Sequence, residues 1–483
     1  MKKVLSIAFV LVLVLATASA AFAQLGDTDN SSFSIQNLGT ADATVTVTFY
    51  AEDGTAYTPT VLNLGQPNPF TLAPGAGWEI YVPAIPAAEL PDGRYSVVIE
   101  STEPVAVIAN LIGDTVSYDF NGSYSGFEAG ADTIYLPSIF YNYYGWYSMV
   151  SVQNVGPDPV DVEVDYYQGD VLIAKHTAAG VPGFSSVHFD WETDLPTVEP
   201  GQALPDPNEA PLSAVVLATG NVVAVDNQTV PAAGYMQSYN GFLAGATTRY
   251  APSLFSSYYG WFSSLLIQNV GAADTEVTVT YNDGVTADVF TLAPKQANQL
   301  LYRGDLTPGH GTEVAFAATI TTDGEPVVAI VNQASWPGAP TFPHSDQAQT
   351  YNTFAAGYLT WGLPTIFQKY YNWDTSFSFQ NVGGGPTDVT VIYSENLNPA
   401  GAPYAGCTFT VTGLAAGASV EFYQPNHHIT PPAGCAALPN DYQGNVTLAS
   451  TAEPIVAQVN ETNDVEKVNS AGDWSMSYNG FGQ

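Results

Sequence analysis

The chain has 483 residues, with 45 Asp and Glu against 9 Lys and Arg, a formal charge of −36. That surplus leaves no basic patch to neutralise phosphates, which excludes nucleic acid and anionic lipid as partners. An apolar fraction of 46%, with 12% aromatic residues, rules out a disordered acidic chain; the wealth of Val, Thr, Tyr and Phe points to β-structure in several domains.

Lys2 and Lys3 precede an apolar run from Val4 to Leu15, and Ala21-Phe22-Ala23 then gives a small-x-small pattern. This predicts an export signal over residues 1–23, cleaved after Ala23. No cysteine lies near that point to accept a lipid, and no later run reaches the roughly 18 apolar residues of a membrane span. The expectation is a secreted chain, extracellular or at the cell surface, without membrane insertion.

Beyond the signal one unit occurs four times. Gln36-Asn37-Leu38-Gly39 returns as Gln153-Asn154-Val155-Gly156, Gln268-Asn269-Val270-Gly271 and Gln380-Asn381-Val382-Gly383, at spacings of 117, 115 and 112. Each copy continues with an alternating stretch, Val45–Tyr50, Val160–Tyr166, Val277–Tyr281 and Val389–Tyr393, whose period of two predicts a half-buried strand. Phe70-Thr71-Leu72 runs into a Pro/Gly turn, as do its later counterparts. Short aromatic strands follow, such as Glu79–Val82 and Val420–Tyr423, and then a hairpin-like pair ending near Asn110, Asn227, Asn332 or Asn460.

Copies are joined by a stretch with its own signature. Ser238-Tyr239-Asn240-Gly241-Phe242 leads into Pro252-Ser253 and Tyr258-Tyr259-Gly260-Trp261, and similar runs surround Tyr144 and Trp146, and Tyr371 and Trp373. About seven strands per copy predicts four immunoglobulin-like β-sandwiches, at residues 24–127, 128–242, 243–354 and 355–483. On the QNxG, VTVTY-like, PVVAxVNQ and YNGF motifs the chain resembles exported bacterial proteins built from tandem immunoglobulin-like sandwich repeats, of surface or adhesion type. The resemblance spans residues 30 to 483 and implies a scaffold or adhesive role without assigning any chemistry.

The first copy has no Pro-Ser strand before Phe33 and Ile35, so the first sandwich is expected to lack its leading strand. The fourth copy ends on Ser477-Tyr478-Asn479-Gly480-Phe481. These ends suggest head-to-tail self-assembly, with Trp474, Tyr478 and Phe481 docking on Phe33 and Ile35 of a neighbouring copy, by strand addition or simple packing.

Reaction chemistry finds no support. The histidines form no HxxxH or HExxH spacing, no GxSxG elbow or phosphate loop appears, and no acid/base pair stands out, so no catalytic residue, cofactor or metal is assigned. The histidines read as surface or loop residues, and the acidic groups Asp190-Glu192-Asp194 and Asp206-Glu209 as a solvated face. Cys407 and Cys435, 28 residues apart in an exported chain, are expected to pair. Asn30, Asn121, Asn227, Asn445 and Asn460 begin N-x-Ser/Thr triplets and are candidate glycan acceptors. Tyr144, Trp146, Tyr259, Trp261, Tyr371 and Trp373 are candidates for inter-domain packing or for stacking on sugar rings. The reading is a structural protein, subunit of a filament or surface layer; the alternative is a monomeric carbohydrate-binding adhesin.

Overall fold

A computed structural model describes residues 10–16, 28–114, 119–232, 234–303, 309–335, 347–398, 400–463, 473 and 475–482. Nearly all regular structure is antiparallel strand, arranged as four successive β-sandwiches. Alternation builds the outer layers as expected: along Ala43–Ala51, Val45, Val47 and Phe49 are buried while Thr44 is exposed.

Copy three shows the plan most simply. Its outer sheet runs Thr248–Ser256, Val314–Thr322, Thr275–Tyr281, Asp288–Leu292; its inner sheet runs Ala297–Tyr302, Trp261–Asn269, Val327–Ser335, Ala348–Asn352. The second strand pairs the fifth and the third pairs the sixth, as in immunoglobulin sandwiches. The eighth strand is the stretch read from sequence as a junction: its Tyr-Asn motif closes the inner sheet of its own copy. In copy two one continuous strand, Leu212–Val230, serves both sheets and joins them into one nine-stranded sheet.

The central inner-sheet strands, such as Val327–Ser335, are buried on both faces and read as nearly unbroken apolar or small runs, whereas Ala297–Tyr302 at the sheet edge is half-buried. Val327 to Gln333 are all buried, and Leu266 and Ile330 of copy three belong to the core of copy two. Likewise Met149 and Met236 of copy two pack into the core of copy one. The four inner sheets therefore face a common centre.

At that centre the four eighth strands, Asp119–Ser125, Tyr235–Asn240, Ala348–Asn352 and Ser475–Asn479, pack in a closed cycle: first on second, second on third, third on fourth, and fourth back on first. These are the axial strands below. The C-terminal segment expected to meet the first sandwich of a neighbouring copy thus meets the first sandwich of its own chain. Repeats in a sequence give the order of units, but closure depends on the turn between successive units, which no single repeat encodes.

A second difference concerns copy one. Its leading-strand place, beside Tyr95–Ser101, is occupied by Val10–Ala16, in register from Val10 opposite Ser101 to Ala16 opposite Tyr95. These residues belong to the run read as an export signal; the proposed cleavage point at Ala23 lies outside the described residues. Among the described residues no helix is long and apolar enough to cross a membrane.

Candidate functional site

The repeated motifs resolve into clamps. In each Gln-Asn-x-Gly, the Asn amide donates across its own sandwich: Asn37 Nδ2 to Leu72 O at 2.9 Å, Asn154 to Val181 O at 3.1 Å, Asn269 to Leu292 O at 2.9 Å and Asn381 to Leu414 O at 2.8 Å. Its Oδ1 accepts the N–H of the Gly two residues on, closing an Asx turn at 2.8–2.9 Å in every copy. The glycine is demanded by space, since at Gly39, Gly271 and Gly383 a Cβ would collide with the side chain of Glu103, Glu325 or Glu453. The asparagine and glycine hold a loop, while Oε1 of the motif's Gln36, Gln153, Gln268 and Gln380 is buried without a hydrogen-bond partner.

The Tyr-Asn pair of the second, third and fourth axial strands divides its labour. The tyrosine anchors its own sandwich: Tyr239 Oη donates to Ser138 O at 2.6 Å, Tyr351 to Ser253 O at 2.5 Å and Tyr478 to Thr365 O at 2.7 Å. These acceptors are the Pro-Ser and Pro-Thr positions of the leading strands. The asparagine reaches the preceding copy and matches its backbone. Asn240 Nδ2 donates to Ser125 O (2.6 Å) while Ser125 N–H donates back to Asn240 Oδ1 (3.2 Å). Asn352 does the same to Asn240, and Asn479 to Asn352. The fourth step lacks an asparagine, and Ser125 closes the cycle with one bond, Oγ to Asn479 O at 3.2 Å.

Asp473 caps the same axis. It is fully buried; its carboxylate accepts the N–H groups of Met236, Ala348 and Ser475, and its carbonyl accepts from Asn121. Burial pushes its proton affinity well above the usual range, against the pull of those donors.

The aromatic turns come as three equivalents. Tyr143 donates to Gln299 Oε1 of copy three at 3.0 Å. Tyr258 lies near Glu421 of copy four; burial first, then that carboxylate, raises its phenol to about 12. Tyr370 is raised by burial and then by Glu79 of copy one. Each first tyrosine thus faces the next copy around the ring. The tryptophans stay at home: Trp261 is buried against Phe255 and Tyr258, and Trp146 lies 6.1 Å from Phe140. Trp373 is half-buried. Tyr144, Tyr259 and Tyr371 stand out in solvent, 71%, 63% and 78% exposed, all with left-handed φ of 48–51°. An aromatic residue in that conformation is a true outlier, and here it occurs three times at one place in the repeat.

The proposed interface residues are otherwise engaged: Phe33, Ile35 and Tyr478 lie in the cores of their own sandwiches, and Phe481 pairs Gly362. Trp474 lies outside the described residues. Among the candidate acceptors, Asn121, Asn227, Asn445 and Asn460 are at most 5% exposed, so a glycan has no room on the folded chain; Asn30 is half-buried. Their triplets fall within strands, where alternate residues must turn inward.

The histidines also correct the expectation of surface positions. The side chains of His176, His188, His310 and His427 are nearly fully buried. Tyr166 Oη meets His176 Nδ1 at 2.9 Å, Ser151 Oγ meets His188 Nδ1 at 2.8 Å, and His310 pairs Asp283 at 2.7 Å. His344 lies outside the described residues. Cys407 and Cys435 are joined, as expected. His427 sits within 4.8 Å of both sulfurs, the one such cluster among the described residues, but the sulfurs are bonded to each other and are not free ligands. Asp190 caps its own turn through Glu192 N–H and Thr193 Oγ1. A cleft of about 180 Å³ between copies one and four, lined by Gln36, Leu38, Thr360 and Thr447, contains no titratable group.

No protein-family model and no curated protein matches the chain. Among solved structures, a Thermotoga maritima protein, 1070, is 15% identical with a TM-score of 0.19, covering 23% of this chain and 94% of that one. The Anabaena sensory rhodopsin transducer is 22% identical with a TM-score of 0.14, covering 18% and 94%. The full-length RrgB pilus protein of Streptococcus pneumoniae is 8% identical with a TM-score of 0.11, covering 71% and 62%. The fold defines a tandem β-sandwich protein closed on itself by its axial strands.

Proposed function

We propose that the chain is an exported structural protein of the cell exterior, a rigid building block for a surface layer or filament that performs no reaction. The observation that carries this is the closed cycle of Asn240, Asn352, Asn479 and Ser125, which spends three repeated asparagines and a serine on holding sandwiches together. Interfaces at the axis and with its ring neighbours restrain each unit, and the weight of negative charge discourages random aggregation. Copies associate through outward surfaces, because the C-terminal strand is already used inside its own ring.

Negative-stain electron microscopy of the purified exported chain and of native extracellular material tests this. Compact four-lobed particles ordered into periodic sheets or fibres are expected; dispersed particles in both samples overturn it. Deleting residues 470–483 is expected to loosen the ring itself as well as any assembly.

A second reading, a carbohydrate-binding adhesin, is favoured by Tyr144, Tyr259 and Tyr371, three exposed rings in equivalent turns. Replacing all three by Ala is expected to abolish binding on a glycan array. Trp261→Ala is a poor test, because Trp261 is buried in its own sandwich.

A further inference from the structure

The leading strand pairs the sixth strand of its copy in all three later sandwiches: Ala131–Ile139 beside Leu212–Val230, Thr248–Ser256 beside Val314–Thr322, and Thr360–Gln368 beside Tyr442–Ser450. Each pairing carries a register shift, at Leu136/Ile139, Ala251/Leu254 and Leu363/Ile366. The Pro-Ser or Pro-Thr at that shift receives the axial tyrosine. These strands are built for their places and cannot be lost without breaking the chain.

The strand in the corresponding place of the first sandwich is of another kind. Val10–Ala16 has neither proline nor register shift, and it lies upstream of Ala23. The opposite edge of Tyr95–Ser101 is taken by Ala43–Ala51. Without residues 10–16, one whole edge of Tyr95–Ser101 has no backbone partner, above a core that includes Val97 and Ile99.

We propose that this edge is a strand-acceptor groove, filled by the chain's own residues 10–16 before processing and opened when the export signal is removed. The occupant is an extended, uncharged, apolar segment held chiefly by main-chain hydrogen bonds, so that Val and Leu suit it and charge or proline does not. The first sandwich is thereby closed while the precursor is intact and becomes an addition site in the processed chain. The proposal rests on the reading of residues 1–23 as a removable signal.

Three measurements on the exported protein test it together: intact mass, hydrogen exchange of the Tyr95–Ser101 amides, and exchange after adding a synthetic peptide of residues 10–16 flanked by lysines for solubility. The expected result is a chain beginning at Gln24 whose Tyr95–Ser101 amides exchange faster than those of Val314–Thr322, slowing about tenfold or more when the peptide saturates at one per chain. An intact mass that retains residues 1–23 overturns the signal reading and with it the opening step. A cleaved monomer with Tyr95–Ser101 already as protected as Val314–Thr322, or unmoved by peptide, overturns the groove alone. Protection of Tyr95–Ser101 that appears only as the processed chain oligomerises, and is competed away by the peptide, supports the groove with a segment of a second copy as its occupant.

Discussion

The asparagine clasp gives the sharpest test of the ring. Asn352→Ala removes the Nδ2 donor to Asn240 O and the Oδ1 acceptor of Asn240 N–H, while Asn352 N–H keeps its bond to Asn479 Oδ1. At a net 0.5–1.5 kcal/mol for each bond, the loss is about 1–3 kcal/mol at one interface. Four coupled sandwiches need not unfold in one step, so a global unfolding free energy is the wrong readout. Site-resolved hydrogen exchange is the right one: the Asn240 amide should exchange roughly five- to a hundredfold faster. Ser125→Asn is the reciprocal variant, offering the missing second bond to Asn479, and should slow exchange of the Asn479 amide. A change at Asn240 of less than about threefold, together with no effect of Ser125→Asn, would refute the claim that these amides hold the ring.

Three further outcomes follow from buried groups. Glu461 stands where copies two and three have Gln228 and Gln333, whose amides donate to Ser138 and Ser253; it is fully buried, and both its oxygens lack a hydrogen-bond partner. Burial, then Glu79, raises its proton affinity well above normal, so stability falls as pH rises past the unfolded value near 4.5. Glu461→Gln should therefore stabilise by about 1–2 kcal/mol at neutral pH and much less at pH 4, read from thermal melts at both. His188 has the opposite sign: burial holds it neutral, its stabilisation is complete above the unfolded value near 6.5, and it is lost as pH falls toward the lower folded value. His188→Gln should shrink the drop in melting temperature between pH 7 and pH 5. Cys407→Ala should weaken the fourth sandwich by about 3 kcal/mol in the chain-entropy account, and calorimetry of the parent protein with reductant should reproduce the shift.

What was legible in sequence was local. A period of two survives as burial in Val45, Val47 and Phe49, and an unbroken apolar run such as Val327 to Val331 marks a strand covered on both faces. The disulfide was legible because the chain has two cysteines, both in one repeat unit, which leaves little choice. Ring closure was hidden, because Asn240 serves the backbone of Ser125, more than a hundred residues away. The buried histidines were hidden for the same reason: Ser151 lies opposite His188 across a sheet pairing. One signal was present but unused. Asn227 and Asn460 recur at one place in the repeat, and recurrence within a strand points to an inward structural role rather than to a glycan.

Joining the four copies in one chain makes closure intramolecular, so that each clasp can be weak and still be made. It also frees the copies from symmetry. In a ring of identical subunits every substitution is repeated at each interface, whereas here Ser125, Glu461 and the disulfide each occur once. The differences gather at one seam. Between copies four and one no peptide link crosses, Ser125 Oγ to Asn479 O and Ser123 Oγ to Ser477 O stand in for the asparagine clasp, and the buried carboxyl of Glu461 lies in the field of the Glu79 carboxyl. Burial raises both, so each rise in pH that forces a proton off either carboxyl charges this seam. The seam should therefore open first, with amides of Asp119–Ser125 exchanging faster than those of Tyr235–Asn240, and the gap should widen from pH 5 to pH 8. Equal exchange of these two axial strands across that range would mean that the ring opens as a unit and that the seam carries no special weakness.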